Sequence, residues 1–423
     1  MKLLDNILVE CHEIDFLGHG VCKYQDLVIF VPGLINGEKA VIKITERKKK
    51  FAYGVILKIV TPSTERRDIQ KVNLGSTPLI HLKDHAQESW QIATTINTFK
   101  KISGNQITVD SIIKSPKSLY YRNKAVFHVM DKEFITLGVY DINQKLVRTD
   151  HFLLADELIN KFLRIINDAK FIRESDLLQI VMRSNDKQIL LTFVVTKKDF
   201  YGKDLMIRIL SRYHELIGIT INVKKKDTEI LSDESYTIWG QNTLDFNLRD
   251  LTLKVNDLSF YQINTSIIEP LYEKIVTYID SNASVVDAYC GVGSIGLFLA
   301  NKKRCVHLID INNSNFYNIK ENIMINNLTN IYTYHGSVEQ HLNKISADVL
   351  IVDPPRFGLT DSVISIVNEK KFQKIIYLSC DLKSLVKNIV ALSNYEIEHI
   401  SSVRMFPQTV SIETLVVLKF KII

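Results

Sequence analysis

The sequence predicts a mixed α/β chain that closes on an open, mainly parallel sheet, and three observations carry that reading. From about residue 256 onward, apolar β-branched runs alternate regularly with helical stretches, as parallel strands joined by crossover helices require. One such run, Ser284-Val285-Val286, leads into the glycine segment Asp287-Ala288-Tyr289-Cys290-Gly291-Val292-Gly293-Ser294-Ile295-Gly296. Two more, Val349-Leu350-Ile351-Val352 and Lys374-Ile375-Ile376-Tyr377-Leu378, lead into Asp353-Pro354-Pro355-Arg356 and Ser379-Cys380. The carboxyl ends of parallel strands form the ligand crevice of such a sheet. A glycine turn, a carboxylate and a thiol are therefore expected at one mouth, in a Rossmann-like domain over residues 256–423.

The 423 residues exceed one ordinary core, so further domains precede it. Residues 1–60 read as short strands: Val28-Ile29-Phe30-Val31-Pro32-Gly33, Lys39-Ala40-Val41-Ile42-Lys43-Ile44, and a run over 51–60, with turns at Gly18-His19-Gly20 and Asn36-Gly37. Several short strands in so few residues suit an OB-like barrel that takes single-stranded nucleic acid. Residues 61–255 mix a strand at 189–195 with a helix starting at 204, and read as a central α+β domain. In the last domain, helices are expected over 295–300 and 383–390, strands over 306–309 and 414–420.

Hydrophobic content of 46% and charged content of 24% fit a folded protein. No apolar run reaches the roughly 18 residues of a membrane helix. Acidic Asp5 comes too early for a secretory leader, so the cytoplasm is the expected address. The five cysteines show neither CxxC spacing nor a paired framework, which argues against a metal site or disulfides. The net charge of +6 is mild, but Arg47-Lys48-Lys49-Lys50 and Lys224-Lys225-Lys226 are clusters that hold phosphates or sit solvated on a surface.

Gly291, Gly293 and Gly296 form a GxGxxG between strand and helix, which serves a dinucleotide or S-adenosylmethionine equally. Asp310, ending the next strand, is placed to accept ribose hydroxyls, or else to cap the following helix. The prolines after Asp353 stiffen the strand exit and hold the carboxylate against the crevice. Amino-methylating enzymes carry a related segment with an aromatic ring where Arg356 stands, so exocyclic-amine methylation is disfavoured. Cys380 suits another chemistry: carbon 5 of uracil becomes nucleophilic once a thiolate adds at carbon 6. That scheme needs a cysteine of depressed pKa, a carboxylate base and a methyl donor. The helix after Cys380 presents its amino-terminal dipole to favour the thiolate.

With these motifs the chain resembles the bacterial RNA uracil-5-methyltransferase family over nearly its whole length. The carrying residues are the glycine motif, Ser259-Phe260-Tyr261-Gln262-Ile263-Asn264, Asp353-Pro354-Pro355-Arg356, Tyr377-Leu378-Ser379-Cys380, and Ser411-Ile412-Glu413-Thr414 with the strand that follows. The resemblance implies Cys380 as nucleophile and Glu413 as proton acceptor. It implies a donor site of Gln262, Tyr289, Gly291, Gly293, Ser294, Asp310 and Asp353, with Ser294 where relatives vary and Asp310 where glutamate is usual. It further implies a TRAM domain at the amino terminus and RNA contacts from Arg122, Asn123, Lys124 and Arg356. Some relatives hold an iron–sulfur cluster; Leu74 and Thr77 stand where two of its cysteines would be, and a fourth would fall near Phe152, so no cluster is expected.

The expected function is S-adenosylmethionine-dependent methylation of uridine carbon 5 in structured RNA, 23S ribosomal RNA ahead of transfer RNA, by a monomer. A cytosine target, a non-catalytic ribosome-assembly factor and an NAD-dependent dehydrogenase are the alternatives, none of which accounts for Asp353, Cys380 and Glu413 together.

Overall fold

The computed structural model describes residues 6–69, 75–172, 176–226, 229–302 and 304–421; Leu74 lies outside them. Alternation builds the first domain. In Ile7–Ile14 the inward residues Ile7, Val9 and Cys11 are buried while those between face solvent, the period-2 pattern of a sheet with one covered side. Five strands close into a barrel in the order Ile7–Ile14, His19–Tyr24, Leu27–Pro32, Phe51–Thr61, Lys39–Arg47, the last pairing back onto the first. Gly18 turns the chain, but His19 and Gly20 already belong to the second strand. The barrel is tied to the next segment by Glu38, which is fully buried and accepts two hydrogen bonds of 2.6 Å from Arg66.

The central domain is a seven-stranded sheet with Leu177–Ser184 and Ile189–Val195 at its middle, covered by helices Glu157–Asp168 and Lys203–Leu210. The second helix stops at Leu210 instead of continuing. Hairpin strands Thr243–Leu248 and Leu251–Asn256 lead into the last domain.

The carboxy-terminal sheet has eight strands in the order Ile331–His335, Val306–Asp310, Val285–Ala288, Val349–Val352, Lys374–Ser379, Glu413–Phe420, Tyr395–Val403, Ser111–Ile113. The first five are parallel, and Glu413–Phe420 runs antiparallel to both its neighbours. Strand order reverses between Val285–Ala288 and Val349–Val352, the switch point where a crevice opens.

The domain boundaries drawn from sequence need one correction. Residues 84–113, read as part of the central domain, pack on the carboxy-terminal sheet. Helix Asp84–Ser103 buries Trp90 and Phe99 in the same core as Val352 and Leu385, and Gln91 Nε2 donates to Val403 O at 2.9 Å. Ser111–Ile113 then covers the free edge of Tyr395–Val403, an edge that would otherwise expose unpaired backbone groups.

One glycine fixes how closely helix and strand approach below the crevice. A Cβ on Gly296 would stand 2.2 Å from Leu308 Cδ2 in the neighbouring strand. Gly296→Ala should therefore destabilise the protein by about 1–3 kcal/mol through overpacking, read as a lower midpoint in urea unfolding; an unchanged midpoint would contradict this packing.

Candidate active site

The turn leaving Val285–Ala288 is sharp because Tyr289, Gly291 and Gly293 all adopt positive φ, of 62°, 58° and 81°. Glycine takes this conformation without strain, whereas Tyr289 holds it at a cost the surroundings must enforce. The turn ends in helix Ser294–Asn301, whose Gly296 N–H donates to Asp287 Oδ2 at 2.8 Å. Asp287 lies inside the strand, one residue past where the sequence reading ended it. Its other oxygen, Oδ1, is buried without a protein partner. Burial pushes its carboxyl up to about 8, Gly296 N–H opposes, and Asp353 and Asp310 add to the rise.

Asp310 closes the next strand and braces the glycine turn. Its Oδ2 accepts from Gly291 N at 2.8 Å, and its Oδ1 from Asn312 N at 2.8 Å and Asn315 Nδ2 at 3.1 Å. The helix cap falls on Asn312, whose side chain accepts from Ser314 N and Asn315 N, so Asp310 is not the cap. Across the crevice Gln262 Nε2 donates to Asp353 Oδ2 at 2.9 Å. Burial raises Asp353 to about 7 against that hydrogen bond. Ser294 Oγ meets the buried Tyr272 hydroxyl at 2.7 Å. Phe260, Gln262, Asp287, Tyr289, Ser294 and Asp353 line one cleft. Its acidic lining, the backbone of the glycine turn and the unpartnered Asp287 Oδ1 fit a cationic sulfonium nucleoside.

Cys380 and Glu413 reach the same mouth through strand register. Ser379 pairs with Thr414 in the antiparallel ladder, so the residue after one and the residue before the other stand side by side. Glu413 is only 4% exposed, and burial followed by the charge of Asp353 raises its carboxyl well above the usual range. Cys380 is pushed up to about 11 by burial, then by Glu413 and Asp353, with Arg356 opposing. The expected depressed thiol is thus corrected. Helix Leu382–Ala391 does begin behind it, but Asp381 caps that terminus by accepting from Ser384 N at 2.8 Å, and the carboxylates outweigh what dipole remains.

In the segment Arg122-Asn123-Lys124 the outer two residues are half-buried. Asn123 is buried, with N donating to Ile263 O and Nδ2 to Gln262 O, both at 2.9 Å. Lys124 lies beside Arg183 and Asp257, and burial lowers its ammonium to about 7. Arg122 donates its backbone N–H to Leu154 O. Arg356 is exposed at the crevice.

Residues the sequence reading passed over hold this segment in place. Arg183 Nη2 donates to Ser259 O at 2.6 Å. Helix Asn313–Ile325 and the residue after it present Asn315, Asn318, Asn322 and Asn326, whose side-chain oxygens accept from Phe260 N, Asn256 N, Lys254 N and Thr252 N. Their three- and four-residue spacing places them on one helix face, a stripe visible in the sequence had it been sought.

The strand order, the glycine turn and the acidic crevice define a class I α/β methyltransferase that uses S-adenosylmethionine. A sequence model described as tRNA (Uracil-5-)-methyltransferase matches residues 90–345 and 338–421, and the chain belongs to that family. An Enterococcus faecalis protein named as an uncharacterized RNA methyltransferase is 30% identical over 99% of this chain and 98% of its own length. One of Oceanobacillus iheyensis, named likewise, is 29% identical over 96% and 94%. Among solved structures, the Pyrococcus abyssi tRNA (uracil-54, C5)-methyltransferase in complex with S-adenosyl-L-homocysteine has the same fold, with a TM-score of 0.77 at 21% identity over 97% of this chain and 100% of that one. The enzyme class, the donor and an RNA substrate follow from the family. Among the described residues no helix is long and apolar enough to cross a membrane.

Two pH dependences follow from the crevice acids. A carboxyl raised in the fold stabilises below its unfolded pKa, and that stability is lost as pH rises to the folded value. For Asp287 the window runs from 3.8 to about 8. Asp287→Asn should therefore gain thermal stability relative to wild type as pH climbs through this window and no further above it; a constant difference across pH would refute the assignment. Cys380 should be alkylated slowly at neutral pH and faster toward pH 11, and Arg356→Gln should slow it by removing the opposing cation, as read by peptide mapping with iodoacetamide.

Proposed function

We propose that this enzyme methylates carbon 5 of one uridine in 23S ribosomal RNA through a covalent bond between Cys380 Sγ and uracil carbon 6. The observation that supports this most is the register neighbourhood of Cys380 and Glu413 beside Asp353. In this mechanism the Cys380 thiolate adds to carbon 6, and the ring's π pair makes carbon 5 nucleophilic. S-adenosylmethionine, when bound, supplies the electrophilic methyl group. Glu413, ionised, takes the carbon-5 proton; the electrons left behind re-form the 5,6 double bond and expel the thiolate. Gln262, Tyr289, Gly291, Gly293, Ser294, Asp310 and Asp353 hold the donor in this reading. Gln262 also steadies Asp353 through the bond of 2.9 Å. The uridine must leave its stack to reach the thiol.

The choice of ribosomal RNA rests on the five-stranded barrel, which adds an RNA-binding module beside the catalytic sheet. Transfer RNA is the second reading, favoured by the family description and by the Pyrococcus neighbour, whose likeness over 97% of this chain takes in the barrel. An RNA-directed reaction sets the work in the cytoplasm.

Incubation with radiolabelled S-adenosylmethionine and unmodified 23S or transfer RNA, followed by nucleoside analysis, tests both. Label in 5-methyluridine from ribosomal RNA supports the proposal; label in transfer RNA alone moves the address; label in 5-methylcytidine refutes it. Cys380→Ala should lower turnover by roughly 10³-fold or more, with no protein–RNA adduct. Glu413→Gln should accumulate an adduct that survives denaturing gels, because the methylated ring keeps its carbon-5 proton and cannot expel the thiolate. Free turnover by either variant would sink the role assigned to it.

A further inference from the structure

We infer that Phe16, at the tip of the barrel loop 15–18, is a stacking platform for a nucleobase next to the target uridine, with Lys383 beside it to meet the RNA backbone. This rests on the RNA reading above but not on the chemistry at carbon 5. Phe16 and Leu17 are 58% and 46% exposed, two large apolar residues side by side at the tip of this loop. The loop is nonetheless held by its own hydrogen bonds. Asp15 Oδ1 accepts from Leu17 N at 2.9 Å and His19 N at 2.7 Å, and Gly18 N donates to Asp15 O at 3.1 Å.

The loop is also anchored away from its own barrel, on the catalytic domain. Trp90 Nε1 donates to Asp15 O at 3.1 Å, and a Cβ on Gly18 would come within 3.0 Å of Val410 Cγ1. Val410 lies three residues before Glu413. Lys383 stands in the first turn of the helix that follows Cys380, and its Nζ lies 5.1 Å from the Phe16 ring centroid. The chain segments carrying both proposed catalytic side chains thus flank this loop.

Contacts continue from the loop across the barrel face. Asp15 Oδ2 lies 3.4 Å from His19 Nδ1; His19 packs edge-on to Tyr53 at 6.4 Å between centroids; Tyr53 packs against Phe30 and Phe51 at 5.9 and 5.7 Å. Phe51 borders the exposed turn of Lys48, Lys49 and Lys50. Half-buried rings interleaved with cations form the surface that takes single-stranded nucleic acid, bases on rings and phosphates on lysines. Phe16 is the exposed ring beside this surface that meets Lys383, three residues past Cys380.

The test compares binding of fluorescein-labelled oligouridine with binding of the same sugar–phosphate chain lacking bases, by anisotropy at fixed salt. Phe16→Ala should lose roughly 5- to 150-fold in affinity for oligouridine, the worth of one stacked base, and nothing for the abasic chain. Phe16→Trp should restore it, and Lys383→Ala should weaken both RNAs alike and flatten the salt dependence. Equal losses on the two RNAs for Phe16→Ala, no loss on either, or a wild-type protein that binds both alike or neither, would overturn the inference. A failure of uridine methylation alone would show as absent 5-methyluridine with the base-dependent loss intact.

Discussion

Desolvation of carboxylates at one end of the parallel sheet is the constraint around which the rest of this molecule is arranged. Asp287, Asp310, Asp353 and Glu413 are brought there by strand register, and burial raises each carboxyl above its usual range. Their partners are mostly neutral N–H groups: Gly296 for Asp287, Gly291 and Asn312 for Asp310, Gln262 for Asp353. Neutral donors fix geometry but compensate buried charge incompletely. The crevice is therefore poised for a ligand that brings positive charge, and attraction there exceeds what the same charges gain in water.

Holding the acids apart and in place falls to the chain that joins the central and catalytic domains. Thr252, Lys254, Asn256 and Phe260 have their backbone N–H groups taken up by the asparagine stripe of helix Asn313–Ile325 and Asn326. From the other side Asn123 and Arg183 grip the carbonyls of Gln262, Ile263 and Ser259. The central sheet thereby orients Gln262, which orients Asp353. Lys124 and Arg183 are costly to bury beside each other, and Asp257 only partly offsets them. Their strand positions, opposite one another in the ladder between Leu177–Ser184 and Lys124–Val129, make a fixed clamp.

Much of this was legible in the sequence, and the failures have physical reasons. Ile189–Val195 and Val349–Val352 were readable to the residue because buried strands are short, continuous and β-branched. The order of glycine turn, Asp353 and Cys380 placed the crevice, since a parallel sheet leaves the placement of strand ends little freedom. Residues 84–113 were misassigned because their partners, Val403 and Gln408, lie some three hundred positions away. No local period reports a contact of that separation. The thiol of Cys380 was misjudged for a related reason: a helix start is visible in sequence, but how deeply packing buries the sulfur beside Glu413 and Asp353 is not, and that decides the charge.

The protonation of Cys380 and the acidity of the crevice are two faces of one arrangement. Glu413 and Asp353 make the crevice attractive to a cation, and the same charges disfavour a thiolate between them. A cation entering the crevice acts in one direction on all three groups: it lowers the carboxyls toward ionisation and relieves the repulsion felt by the sulfur. Arg356 already pulls the thiol the same way from the exposed side. A thiol held neutral is shielded from adventitious oxidation, which proceeds through the thiolate. The reactivity of Cys380 is therefore set by what occupies the crevice as much as by the cysteine's own place in the fold.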